Sequence, residues 1–269
     1  MNRKYISLLI VAAMLLAVFI ARQADHGKEK ASRKAPAPAT AEDTRPLLAI
    51  VLDDFGYSKQ NLAVLEEIRY PLTFAVLPDT PYAKSVCAFA CENGYEVILH
   101  LPMEPVVHSR SMEAGTVMTD MQEDDIRALV AQGLGSVPGA VGASNHMGSK
   151  ATADERVAGV VIEELGKRGL FFLDSMTIAG SVCGKVADER AVPCARRDIF
   201  IDNVLEKEAI VSQLGKAAEI ARKKGCAVAI GHDRPLTVQV LKEVMPEMSE
   251  RGIKFVKLSE IIRGRFSRP

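Results

Sequence analysis

Short apolar, β-branched runs alternate with longer segments of helical period along most of this chain, and no other feature limits its fold so tightly. Strands are expected at 48–52, 72–77, 96–99, 140–143, 170–173, 199–201, 227–230 and 254–257. Between them the period lengthens to that of helices, at 59–69, 82–93, 123–134, 153–167, 207–224 and 237–251, several ending on a glycine, which helix C-termini favour. Strands that are apolar throughout and joined by helices form parallel sheets covered by helices. The expected fold is therefore α/β, either closed as a barrel or open and doubly wound.

The polar residues are unevenly placed on this framework. Asp53 and Asp54 end the first expected strand, His100 the third, His146 the fourth, Asp174 the fifth and His232 the seventh. In both candidate architectures the carboxyl ends of the strands form the ligand-binding face, so residues remote in sequence converge there. Three of the five histidines fall on this rim, each followed within a few residues by Pro or Gly. The other two, His26 and His108, lie in a tether and a loop and are assigned no role.

Asp54, His100 and His146 make an oxygen–nitrogen–nitrogen donor set suited to zinc or a related first-row divalent ion, with positions left open for water and substrate. Such an ion lowers the pKa of a water toward neutrality and polarises a carbonyl, the two requirements for hydrolysing an amide or ester. Asp53 is then free to act as general base. Consecutive strand residues point to opposite faces, but a turn at Phe55-Gly56 can bring both carboxylates toward the mouth. His232, on the far strand, is placed to protonate a departing amine.

Composition and motifs remove several rivals. The 34 basic residues balance the 34 acidic ones, and no basic patch is interleaved with aromatics, so nucleic acid is not an expected partner. Trp is absent and aromatics are 5% of residues, which takes away the usual stacking platform for sugar rings and leaves polar contacts to any glycan. GxSxG and the P-loop lysine motif are missing, which disposes of nucleophile-elbow and nucleotide chemistry. Five cysteines without a CxxC pair give no thiolate metal site. Cys87 and Cys91 read as buried thiols, while Cys183 and Cys194 flank a loop and are able to pair in an oxidising compartment.

Arg3 and Lys4 precede an uncharged, nearly all-apolar run from Tyr5 to Ala21, followed by Arg22. The run would cover ~26 Å as a helix, the short limit for a membrane span. It is expected to be an export signal at 1–21, an uncleaved anchor in preference to a cleaved signal peptide because the small-x-small site is poorly formed. The protein would then be exported and held at the membrane, or secreted if the signal is cut. Residues 22–46, polar and carrying Ala35-Pro36-Ala37-Pro38, read as a disordered linker. The folded unit is expected at 47–266, a size that suits one α/β barrel domain.

Four segments carry a family resemblance: Val51-Leu52-Asp53-Asp54-Phe55-Gly56, Leu99-His100-Leu101-Pro102-Met103-Glu104-Pro105, Ser144-Asn145-His146-Met147-Gly148-Ser149 and Ile230-Gly231-His232. In order and spacing, together with Thr73 to Pro78, Gly169 to Ser175 and Arg196 to Asn203, they resemble the divergent polysaccharide deacetylases, relatives of the NodB-like carbohydrate esterases. The resemblance implies a distorted (β/α) barrel of about seven strands, with an Asp-Asp pair supplying base and ligand and two histidines completing the metal site. It assigns Asp53 as base, Asp54, His100 and His146 as metal ligands and His232 as acid. The larger superfamily spaces its two histidine ligands four residues apart, whereas Glu104 stands four after His100, so either His146 replaces the missing ligand or Glu104 ligates. Glu104 and Asn145 are also candidates to contact substrate or orient a ligand. Arg197 is expected to orient Asp53, and Asp174 to hold the His232 ring.

The expected function is removal of N-acetyl or O-acetyl groups from an envelope or extracellular polysaccharide, with an amino sugar as substrate and a divalent metal, zinc first, as cofactor. A non-catalytic envelope protein that binds glycan or a protein through the inherited pocket is the alternative. Hydrolysis of another acyl or phosphate ester is a third reading.

Overall fold

A computed structural model of the protein describes residues 43–107 and 112–266. The expected export segment at 1–21, most of the linker at 22–46, and His26 and His108 lie outside these residues. Among the described residues no helix is long and apolar enough to cross a membrane. Nine strands are present among the described residues: β1 (Leu47–Phe55), β2 (Thr73–Val76), β3 (Glu96–Met103), β4 (Gly142–Met147), β5 (Phe171–Asp174), β6 (Cys194–Arg196), β7 (Ile199–Phe200), β8 (Cys226–His232) and β9 (Lys254–Phe255). The helices are α1 (Leu62–Leu65), α2 (Ala83–Glu92), α3 (Glu123–Ser136), α4 (Glu155–Gly166), α5 (Cys183–Glu189), α6 (Lys207–Lys224), α7 (Pro235–Glu250) and α8 (Leu258–Phe266).

All strand pairings are parallel, in the order β6-β5-β4-β3-β2-β1-β8-β7, with β9 also beside β1. The two end strands, β6 and β7, are joined by only Arg197 and Asp198. The Arg197 N–H donates to the Asp174 carbonyl on β5, and the Asp198 N–H to the Val228 carbonyl on β8. The sheet therefore curls into a half-barrel whose seam is bridged by the chain itself, and the expected distorted barrel stands with nine strands instead of about seven. Beyond the eight strands that the apolar runs announced, the ninth, β6, is a Cys-Ala-Arg tripeptide with no apolar run to betray it.

Period-two alternation gives the sheet two faces with separate cores. Leu48, Ile50 and Leu52 of β1, Leu99 of β3 and Phe172 of β5 pack outward with the helices. Ala49, Val51, Ile98, Leu173, Val228 and Ile230 pack inside the barrel. Leu258, Ile261 and Ile262 of α8 join the inner cluster and close its floor. The N-terminus of α8 is satisfied from within: the Leu258 N–H donates to Thr73 Oγ1 at 3.2 Å and the Ser259 N–H to Glu96 Oε1 at 3.1 Å. Without these partners the first-turn N–H groups would be buried and orphaned.

The same alternation decides which predicted residues reach the mouth. Counting by two from the inner cluster, Asp53 follows Val51, His100 follows Ile98, His232 follows Ile230, and Arg197 follows Ala195. Asn145 and Asp174 carry the opposite parity, in step with Ala143 and Phe172 of the outer core.

Candidate functional site

Asp53 and Asp54 are consecutive on β1, so a regular strand would send them to opposite faces. The register of β1 against β2 shifts between Leu52, paired with Phe74, and Phe55, paired with Val76. This inserts one extra residue, and Asp54 takes a left-handed φ of 67°. Asp tolerates that conformation better than most residues because its short polar side chain bonds locally. The device that gathers the two carboxylates is thus Asp54 itself, one residue before the expected Phe55-Gly56 turn.

His100 is inside β3 and does not end it. The strand continues through Pro102 because β2 pairs only as far as Leu99, while β4 accompanies β3 from Leu99 to Met103. The proline's missing N–H costs little on the side β2 has vacated. His146 lies on β4 opposite Pro102, two residues beyond Ser144, the partner of His100.

These elements bring one oxygen and two nitrogens together. Asp54 Oδ1 lies 3.3 Å from His100 Nε2 and 3.0 Å from His146 Nδ1. The three side chains offer ligand atoms that all lie within 4.8 Å of one another. His100 is 2% exposed, and its Nδ1 sits 2.8 Å from Ser144 Oγ, which fixes the ring with Nε2 toward Asp54. Burial pushes the His100 pKa down to about 4 against the pull of Asp54, and neutral imidazole is the form that ligates metal. Burial opposes ionisation of Asp54 as well, yet hydrogen bonds from His100 and His146 outweigh it and hold the carboxyl below the usual range.

Asp53 is held differently. Its Oδ2 is 3.6 Å from His100 Nε2, while its buried Oδ1 has no hydrogen-bond partner. Burial raises its pKa well above the ordinary value, repulsion by Asp54 and Asp202 adds to this, and Arg197 partly offsets it. An unpaired buried carboxylate oxygen costs ~1–3 kcal/mol or more, and folds retain such atoms chiefly at working sites. One unsatisfied acceptor beside an Asp-His-His donor set is the environment a hydrated divalent cation fits.

The partner of His232 corrects the sequence expectation. Asp174 does not hold this ring: its oxygens accept from the Met176 N–H and from Ser181 Oγ on the outer side of the sheet, as its parity requires. Asp202, fully buried just beyond β7, takes that role, with Oδ1 2.8 Å from His232 Nδ1 and Oδ2 accepting from the His232 N–H and from Thr237 Oγ1. Burial raises the Asp202 pKa, but the bonds from His232 and Thr237 prevail and lower it. Parity was the available signal, since Asp202 follows inward Phe200 by two. Asp202→Asn removes a charge-assisted bond of ~1.5–3 kcal/mol from a buried ring, so the melting temperature of the variant, read by thermal unfolding, should fall.

The remaining candidates are supports. Arg197 donates from Nε to the Ser175 carbonyl and from Nη2 to the Met176 carbonyl. Its guanidinium lies 3.7 Å over the Phe200 ring, which in turn stacks on His232. Arg197, expected to orient Asp53, acts on that carboxyl through its charge, which partly offsets the rise in pKa. Asn145 bonds the Met147 carbonyl and accepts the Ser175 N–H, stitching β4 to β5 and facing away from the mouth. Glu104 does not join the donor cluster; it binds Thr119 and Lys150. Tyr57, passed over in the sequence, stands half-exposed in the loop after β1 and donates to Glu113. That bond, burial and the nearby acids push the phenol up to about 12, so it remains a donor at the rim. Cys183 and Cys194 are free thiols.

The model of the divergent polysaccharide deacetylase family matches residues 50–262, nearly the whole described domain. This chain belongs to that family. The deacetylase-family chain is 35% identical over 215 residues to an uncharacterized protein, YibQ, of Escherichia coli (strain K12), covering 80% of this chain and 67% of that one. Its fold resembles the crystal structure of the uncharacterized protein ATU2773 from Agrobacterium tumefaciens C58, with a TM-score of 0.78, 21% identity, and 84% and 92% of the two chains covered. It also resembles the catalytic domain of the peptidoglycan N-acetylglucosamine deacetylase from Eubacterium rectale ATCC 33656, with a TM-score of 0.50, 13% identity, and 85% and 94% covered. At these identities the structural likeness speaks for the fold alone: the NodB-like half-barrel.

Proposed function

We propose that this chain is a divalent-metal-dependent hydrolase that removes acetyl groups from amino sugars of an envelope or extracellular polysaccharide. The convergence of Asp54, His100 and His146 is the observation that carries the reading, with Asp53 and His232 on the same inward face. Family membership supports a carbohydrate substrate, and zinc is the ion best matched to two imidazoles and one carboxylate. The apolar run at 5–21 supports export, with retention at the membrane or secretion after cleavage.

Asp54, His100 and His146 would hold the cation, which when bound supplies Lewis-acid polarisation of the acetyl carbonyl and acidifies a water. Asp53, made more basic by burial, takes a proton from the attacking water, whose oxygen bonds to the carbonyl carbon. His232 has Nδ1 committed to Asp202, which leaves Nε2 to present a proton to the sugar nitrogen. The C–N bond breaks, acetate leaves, and the amine departs carrying that proton. The ionised Asp202 is the counter-charge that a protonated His232 ring needs.

The test is turnover of an N-acetylated glucosamine oligomer and of a phosphodiester by the full chain, before and after chelation. Acetate release that chelation abolishes and zinc restores is the expected result. Phosphodiester cleavage in its place would transfer the site to another bond, and glycan binding without acetate release would make the chain a binding protein.

A further inference from the structure

Both metal-ligand histidines are followed, four residues later, by a charged residue, and those two residues meet. Glu104 follows His100 and Lys150 follows His146, and Lys150 Nζ lies 2.7 Å from Glu104 Oε1. Glu104 is 3% exposed, and its second oxygen, Oε2, accepts at 2.6 Å from both the N–H and Oγ1 of Thr119. Its backbone is engaged too: the Glu104 carbonyl accepts from the N–H groups of Lys150 and Ala151, both at 3.0 Å. One residue at the end of β3 thereby grips the turn that leaves β4 by side chain and main chain together.

That turn needs gripping. Met147 and Gly148, immediately after His146, are left-handed, with φ of 53° and 85°. A non-glycine residue there costs ~1–3 kcal/mol and persists only where its surroundings over-determine it. The turn is also pressed against β3, since a Cβ at Gly148 would come within 2.9 Å of Met103 Cβ. A shift of this segment displaces the His146 ring directly.

We infer that the Glu104–Lys150 ion pair is a positioning device for His146 and that Glu104 stands outside the coordination sphere. The inference rests on the metal-binding half of the proposed function and not on the hydrolytic half. His146 arrives on the neighbouring strand, and Glu104 at the end of β3 holds the turn that follows it.

The experiment is a calorimetric titration of the metal-free full chain with zinc, for wild type, Glu104→Gln, Lys150→Met, the double variant and Lys150→Arg, with thermal unfolding of each metal-free form. Losing a supporting partner of a ligand costs ~10- to 100-fold in metal affinity. Each single variant should show that loss, the double should lose no more than one single, and Lys150→Arg should regain most of it. A purely structural pair would lower the metal-free melting temperature and leave zinc affinity untouched, which overturns the inference. Lys150→Met binding as tightly as wild type, with Glu104→Gln alone impaired, would make Glu104 a ligand and overturn it as well. Wild-type protein that takes up no zinc would sink the metal reading itself, an outcome distinct from either variant pattern.

Discussion

Asp53→Asn should bind zinc with unchanged stoichiometry and turn over an N-acetylated glucosamine oligomer ~10²–10⁴ times more slowly than wild type, the range that general-base catalysis supplies. Asparagine keeps the volume and one acceptor but cannot take a proton. The side chain is 4% exposed and its Oδ1 lacks a partner in the fold, so no structural bond of that oxygen is lost with the charge. Removing a buried, repelled carboxylate should leave the melting temperature equal or higher, because Asp54 and Asp202 both disfavour its ionisation. Stopped-time acetate release with parallel elemental analysis separates the cases. A slow variant with a full complement of zinc supports Asp53 as base, whereas wild-type turnover would move that role to another group.

His146→Ala should fail at the earlier step. Zinc affinity should fall by more than the ~100-fold that losing a supporting partner costs, because a donor atom itself is gone. Turnover at micromolar zinc should become undetectable. His146 is partly exposed, with a side-chain accessibility of 16%, and its ring bonds to Asp54, so the fold should tolerate the change with little loss of stability. Equilibrium dialysis against zinc reads the first effect and thermal unfolding of the metal-free protein the second. Retention of one tightly bound ion per chain in this variant would contradict the assigned ligand set.

The contrast between the residues that reached the site and those that did not shows what the sequence encodes. Apolar runs with helices between them announced a parallel sheet, and the polar strand ends announced its mouth, because both follow from periodicity. Asp53, His100 and His232 were legible for the same reason, each two residues beyond an inward apolar side chain. Asp174 was misassigned because position at a strand end was weighed without parity, and Phe172 shows that it faces the helices. Asp202 was overlooked because it stands just past the short run at 199–201, and its parity with inward Phe200 was not counted. The left-handed Asp54 and the grip of Glu104 on the turn after β4 depend on register and on contacts between strands. Neither has a local signature in the chain.

Anomalous diffraction at the zinc edge, from crystals of the full chain grown with the ion, tests the central claim most directly. One peak is expected, ~2.0–2.2 Å from a carboxylate oxygen of Asp54 and from Nε2 of His100 and Nδ1 of His146, with Glu104 still on Lys150. A peak held by other side chains, or none at full zinc loading, would contradict the account.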